Sequence, residues 1–292
     1  MTAVTGHPPT GGPAAATPRP PRLTRLRRRS GRRSGEFVLR WTVLAALLVA
    51  WEVAARGAES IYFVAPSRFI ARAAELWLPT PGALLTEGMR NDVLPSLTRM
   101  GAGLVVAVVA AVVVGVAIGL VPSVGDYLDP LIQFARAIPP PALLPVFLVL
   151  FGRGDSMRVL LIAFGAAWPI LLNTIEGVRS VDPVMYQTAR IFHLPLRERL
   201  MRIVLPGASQ KILAGVRTSL SMALILMVIS EMVASTGGIG FHIVQAQRGF
   251  QILDMWAGIF LLGVLGYLLN LALTVVERRV LAWRRATDRE TA

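Results

Sequence analysis

The chain has 292 residues, 54% of them hydrophobic, a formal net charge of +13 and a mean hydropathy of +0.59. This apolar content excludes an ordinary soluble domain and points to an integral membrane protein, whose positive charge is read as loop charge beside anionic lipid rather than a nucleic-acid surface. There is no cysteine, so disulfides, a thiolate nucleophile and Cys-ligated metal are excluded; Lys211 is the one lysine, and no Gly-x4-Gly-Lys-Ser/Thr precedes it, so the chain has no P-loop.

In chain order, residues 1–36 are rich in Pro, Gly, Ala and Thr and then in Arg (Arg25, Arg27, Arg28, Arg29, Arg32, Arg33), and read as a disordered cytoplasmic tail. The Arg cluster resembles the start of a signal peptide. The run behind it contains Trp51 and Glu52 and lacks a small-x-small site, so cleavage is not expected. Six apolar runs follow, at about 37–55, 100–121, 128–151, 159–175, 212–233 and 255–276, each long enough to cross a bilayer. They make residues 37–285 the membrane domain of an all-α protein and leave 286–292 as a second short cytoplasmic tail. The second run carries Gly115-x3-Gly119, which suits close helix packing. The third carries Pro139, Pro140, Pro141 and Pro145, tolerable only inside a bundle that satisfies the freed carbonyls. No solenoid-type repeat is present.

Arginines crowd the N-terminal tail, the 179–202 loop and the C-terminal end (Arg278, Arg279, Arg284, Arg285). Six spans put these three segments on one side, which the positive-inside rule makes the cytoplasm, with both termini there. The segments at about 57–92, 152–156 and 236–254 fall on the opposite side.

Three ionisable residues lie in or near the spans. Arg136 and Glu231 are candidates for the translocation pathway or its gate. Arg136 could instead cap carbonyls freed by the proline cluster, and Glu231 could instead be an interfacial residue. Arg217 is read as snorkelling at the cytoplasmic end of the fifth span. His7, His193 and His242 are scattered with no carboxylate cluster, so no metal is expected. Gly237-Gly238-Ile239-Gly240 follows no strand and is read as a turn opening a short re-entrant or outer segment.

The most strongly patterned stretch is Asp182 to Pro206, DPVMYQTARIFHLPLRERLMRIVLP. Asp182 can cap a helix that Pro183 begins, with Met185, Ala189 and Phe192 on one face. Pro195 can start a second helix with an apolar stripe at Leu196, Leu200, Ile203 and Val204, and Pro206 is expected to end it. The two helices meet at His193-Leu194.

Gln187-Thr188-Ala189, His193 and Ile203-Val204-Leu205-Pro206 resemble the EAA loop of ABC importer permeases: Glu-Ala-Ala, a Gly four residues after the second Ala, then nine residues before Ile-x-Leu-Pro. Gln187, Thr188 and His193 depart from that pattern. His193 replaces the glycine of the bend, and histidine is among the non-glycine residues enriched at positive φ. Further fragments resemble the nitrate/sulfonate/taurine-type permeases. These are Ser96-Leu97-x-Arg99 with Gly103, Arg136-Ala137-Ile138-Pro139 running to Ala142-Leu143-Leu144-Pro145, and Phe151-Gly152. Asn173-Thr174 with Gly177-Val178, Gly215-x-Arg217 and Ser230-Glu231-Met232 before the glycine stretch also fit.

The resemblance implies the type I ABC importer permease fold and a cytoplasmic coupling pair formed by Gln187, Thr188, Ala189, Arg190, Phe192, His193, Arg197, Leu205 and Pro206. It implies a second permease subunit, identical or homologous, a cytoplasmic ABC ATPase dimer that binds the ATP, and an extracytoplasmic solute-binding protein, with no cofactor in this chain. Two other readings stand beside it. The helix pair could lie on the lipid surface, and the chain could be an ion-gradient-driven secondary transporter, which would call for inverted repeats with paired broken helices. A membrane-anchored interaction protein would leave the 182–206 pattern without a purpose.

Overall fold

The computed structural model describes residues 28–58, 60–78 and 86–281, with side chains from residue 41 onward, and its regular elements are all helical. The chain divides into two units, Met1–Ala54 and Ala55–Ala292. Most of α1 (Arg28–Gly57) belongs to the first and covers the first apolar run. Residues 28–36 are thus helical where a disordered tail was expected. Arginine is a good helix former, and extending an existing helix avoids the cost of nucleating one. The rest of that tail, and the one expected at 286–292, lie outside the described residues.

The second unit contains α2 (Pro66–Trp77), α3 (Leu94–Leu120), α4 (Pro122–Ala137), α5 (Leu144–Phe151), α6 (Asp155–Arg179), α7 (Pro183–Ile191), α8 (Leu196–Arg199), α9 (Leu205–Ala234), α10 (Ile239–Arg248) and α11 (Ile252–Val280). Among the described residues four helices are long and apolar enough to cross a membrane: Met89–Leu120, Asp155–Arg179, Leu196–Ala234 and Ile252–Val280. A fifth crossing is available if α4 and the 140–151 segment, bent by 79°, count as one broken span. These correspond to the second to sixth apolar runs.

The break has a local cause. Pro139, Pro140 and Pro141 supply no backbone N–H, and each pushes the residue before it out of helical geometry. Ile138 and Pro139 are accordingly extended, with ψ 118° and 121°, before a 3-10 turn at Pro140–Leu143 restarts the helix.

The core is formed where α3, α6 and α9 pack together. Gly103, Ala107, Ala111, Gly115 and Gly119 recur every fourth residue of α3, and all are buried. A Cβ on Gly103, Gly115 or Gly119 would stand 2.7 Å from Ile162, Thr174 or Val178 of α6, so side chains of α6 rest on the backbone of α3. Helices that gain nothing from excluding water in lipid associate by such close contact. α2 packs on α11: Phe69 stacks on Trp256 with centroids 5.9 Å apart, and Arg72 Nε donates to Asp254 Oδ1 at 2.6 Å. That bond, with a second to Glu75, pushes the Arg72 pKa further above its ordinary value.

Candidate functional site

The helix pair at 182–204 forms as its sequence predicts on one side of the bend and departs on the other. The Asp182 carboxylate accepts the Val184 N–H at 2.8 Å and caps α7. At the other end His193 has φ 49°, in the left-handed region. The His193 N–H reaches the Arg190 carbonyl and the Leu194 N–H the Ala189 carbonyl, both at 3.0 Å. This is a Schellman closure, with histidine in the place usually held by glycine. The His193 side chain is exposed, so the strain of its backbone secures no internal contact of that side chain.

The faces of the pair differ from the expectation. Met185 and Phe192 are exposed, at 53% and 72%, but Ala189 is fully buried. Its methyl group belongs to the chain's own packing and offers nothing to a partner. Val178, Val204 and Ala208 form a small cluster, against which Tyr186 of α7 and Leu200 pack. Burial pushes the Tyr186 pKa up, so the phenol stays protonated and donates toward the Val178 carbonyl at 3.4 Å. The outward surface carries Val184, Met185, Ile191, Phe192 and Leu196. Gln187, Thr188, Arg190 and Arg197 are also exposed.

Pro206 does not end the second helix. α8 passes through a π turn at Leu200–Val204 directly into α9, giving one helical rod from Leu196 to Ala234. A proline in an α-helix loses its own N–H bond and collides with the carbonyl four residues back. The wider π turn places its extra residue just ahead of Leu205-Pro206, where it relieves the collision. The same device occurs at Met89–Val93, just ahead of Leu94-Pro95.

At the far end of this rod lies a network absent from the sequence expectation, apart from Glu231 itself. Glu231 is fully buried rather than interfacial. Ser96 Oγ donates to its carboxylate at 2.8 Å, Arg99 Nη1 at 2.9 Å and the Gly240 N–H at 3.1 Å. Ser96 Oγ in turn accepts the Ile239 N–H at 3.0 Å, so Glu231 and Ser96 together close the N-terminus of α10. Arg99 Nε and Arg158 Nη1 share Asp155 Oδ1, at 2.8 and 2.6 Å, and Arg158 also donates to the Ala234 carbonyl. Gly238, at φ 115°, is the turn residue that lets this happen, since a Cβ there would stand 2.5 Å from the Glu231 carboxylate. The turn and the helix after it agree with the short segment expected from the glycine stretch.

Arg136 is at the end of α4, exposed, with its Nε donating to the side-chain Oε1 of Gln133 at 2.7 Å rather than to a backbone carbonyl. It lines a cleft of about 470 Å³ together with Gln133, Pro140, Gly165, Trp168 and Met222. Arg217 pairs with Glu277 of α11. Neither Arg136 nor Glu231 is near the helix pair in sequence or in element; α6, which ends just before Asp182, and α9, which continues from the second helix of the pair, both run between the pair and the Glu231 network. No group of three metal-binding side chains occurs among the described residues.

Residues 89–282 match the protein family described as binding-protein-dependent transport system inner membrane component. The taurine transport system permease protein of Escherichia coli strain K12 is 32% identical over 243 residues, 83% of this chain and 88% of that one. The bicarbonate transport system permease protein of Synechococcus elongatus is 33% identical over 198 residues, 68% and 71% of the two chains. Among solved structures, the MetNI methionine ABC transporter in inward-facing conformations matches with a TM-score of 0.54 at 21% identity, over 67% of this chain and 99% of that one, a likeness of fold.

Proposed function

Since the chain belongs to the family of binding-protein-dependent transport system inner membrane components, we propose that the 182–204 helix pair is the surface through which a cytoplasmic ATPase drives this permease. The chain is a membrane-spanning permease subunit of an ABC importer, a multi-pass membrane protein that works with ATPase and solute-binding partners. The finer reading is that two permease subunits, identical or homologous, sit on an ATPase dimer. Both termini and the helix pair face the cytoplasm, and the solute-binding protein docks at the end that carries α2 and α10. Taurine and bicarbonate, named for two relatives, both carry an oxyanion group, and the cargo here is read as a small solute of that kind.

The observation that carries the reading is the contrast within α7. Ala189 is already used in the chain's own packing, while Met185, Ile191 and Phe192 of the same short helix and its C-cap stand exposed, as do Arg190 and Arg197. An apolar knob with a basic rim suits a cleft in another protein. The continuous rod from Leu196 to Ala234 supports the rest: a displacement of the pair by ATP-driven closure is passed along α9 to the Glu231 network and past the Arg136 cleft. The test is co-purification of the ATPase with the tagged chain. Phe192→Asp should cut the recovered ATPase tenfold or more while the chain itself accumulates normally. Undiminished recovery would favour the lipid-surface reading of the pair.

A further inference from the structure

The cleft beside the broken span lies at mid-depth along the spans. α4 runs in the opposite sense to α6: Asp126, near its start, is 3.9 Å from Arg179 at the end of α6, and Gln133, Arg136 and Ala137 of its last turns line one cleft with Gly165 and Trp168 of α6. Trp168 is eleven residues from Arg179 and thirteen from Asp155 at the other end of α6. That is about 16 and 20 Å by helix rise. Met222 is likewise in the middle of α9. Arg136 therefore sits near the middle of the spans, too far from either end to snorkel. A charged residue at that depth faces a water path or the bundle interior, and is expected to have a function.

The cleft is built to offer donors. Among the described residues Arg136 forms no ion pair; its Nε is held by the Gln133 amide, which itself donates to Asp129 at 3.3 Å. Holding Nε fixes the plane of the guanidinium and leaves its two terminal amino groups to point elsewhere. The ring of Trp168 forms part of the wall of the same cleft; its Nε1–H is fully covered and is not presented to the cleft. The remaining wall, at Pro140, Gly165 and Met222, is apolar.

We propose that Arg136, positioned by Gln133, is an oxyanion station halfway along the translocation pathway, taking a small carboxylate-, sulfonate- or bicarbonate-type group in transit. This rests on the permease reading above and adds where such a solute is recognised within the membrane. Two parallel N–H bonds from a guanidinium suit a planar or tetrahedral oxyanion better than a lysine ammonium does. The cleft is open, so the group is held loosely enough to be passed on.

The natural absence of cysteine allows a direct test. Met222→Cys places a single thiol in the cleft of the transporter purified with its ATPase and reconstituted in liposomes. The thiol is reacted with anionic 2-sulfonatoethyl and cationic trimethylammonioethyl methanethiosulfonate, and the rate ratio is normalised to that of a free thiol in solution. The station predicts a ratio favouring the anionic reagent about tenfold, the rate change expected for about 1.4 kcal/mol of attraction. It predicts slowing by millimolar methanesulfonate, and loss of both effects in Arg136→Gln. Arg136→Lys should keep the charge preference but weaken the protection. A ratio unchanged by Arg136→Gln, or no labelling of Cys at 222 by either reagent, overturns the station. ATPase recovery with Phe192→Asp is read separately, so a failure of the coupling surface and a failure of the station are distinguishable.

Discussion

The Glu231 network and the 182–204 helix pair lie at opposite ends of α9, and they treat polar groups in opposite ways. At the far end, Ser96, Arg99, Asp155, Arg158 and Glu231 come from α3, α6 and α9, and these side chains meet one another or backbone groups of the 234–240 segment. At the near end, α7 is capped and closed within itself, and its arginines and apolar side chains face outward. In the first region the buried Glu231 carboxylate finds its cation, Arg99, within the same chain, as buried charge must to persist. The second leaves its groups exposed, as the proposed coupling surface requires. A permease driven by a separate ATPase needs both: a fastening that holds the spans together, and a surface that is unfinished until a partner covers it.

Substitutions should separate the two regions by what fails. The largest effect is expected at the one residue of the pair that belongs to the chain's interior. Ala189→Asp buries a carboxylate with no partner, at a cost of several kcal/mol, so the chain should fail to accumulate, in contrast to Phe192→Asp. Normal levels of the Ala189→Asp chain would show that α7 can leave its packing freely.

Glu231→Gln comes next. Arg99 would lose its buried carboxylate and keep the exposed Asp155, and breaking such a pair costs about 3 kcal/mol. Thermal unfolding of the detergent-purified chain should move down clearly, while whatever protein remains still recovers the ATPase. Loss of ATPase recovery at unchanged stability would mean that the network belongs to the coupling surface after all.

His193→Gly is the smallest and has the opposite sign. Glycine adopts φ 49° without the Cβ cost, which is about 1 kcal/mol. The melting temperature should rise slightly and ATPase recovery should be retained. His193→Val, the worst residue for that geometry, should lower both.

Much of this was legible from local pattern. The span positions follow from apolar length, the Asp182 cap and the proline break from side-chain chemistry, and the left-handed bend from a histidine where a related pattern has glycine. What escaped were features fixed by contacts distant in sequence. Ser96 and Glu231 are 135 residues apart. Each stands out separately in the sequence; the signal that they belong together is the need of any intramembrane carboxylate for a cation at the same depth, which Arg99 supplies. The burial of Ala189 depends on how α7 lies against the ends of the spans, which amphipathic spacing does not encode. Pro206 misled because proline usually stops a helix, and a π turn hides its presence from any α-periodic reading.

The central claim is that the outward face of α7 is covered by an ATPase. Phe192→Cys, in a chain with no other cysteine, can carry a maleimide-linked benzophenone in the assembled transporter. Illumination, followed by identification of the adducts by mass spectrometry, should give this chain joined to the ATPase subunit. Adducts confined to lipid would contradict the account and place the helix pair on the membrane surface.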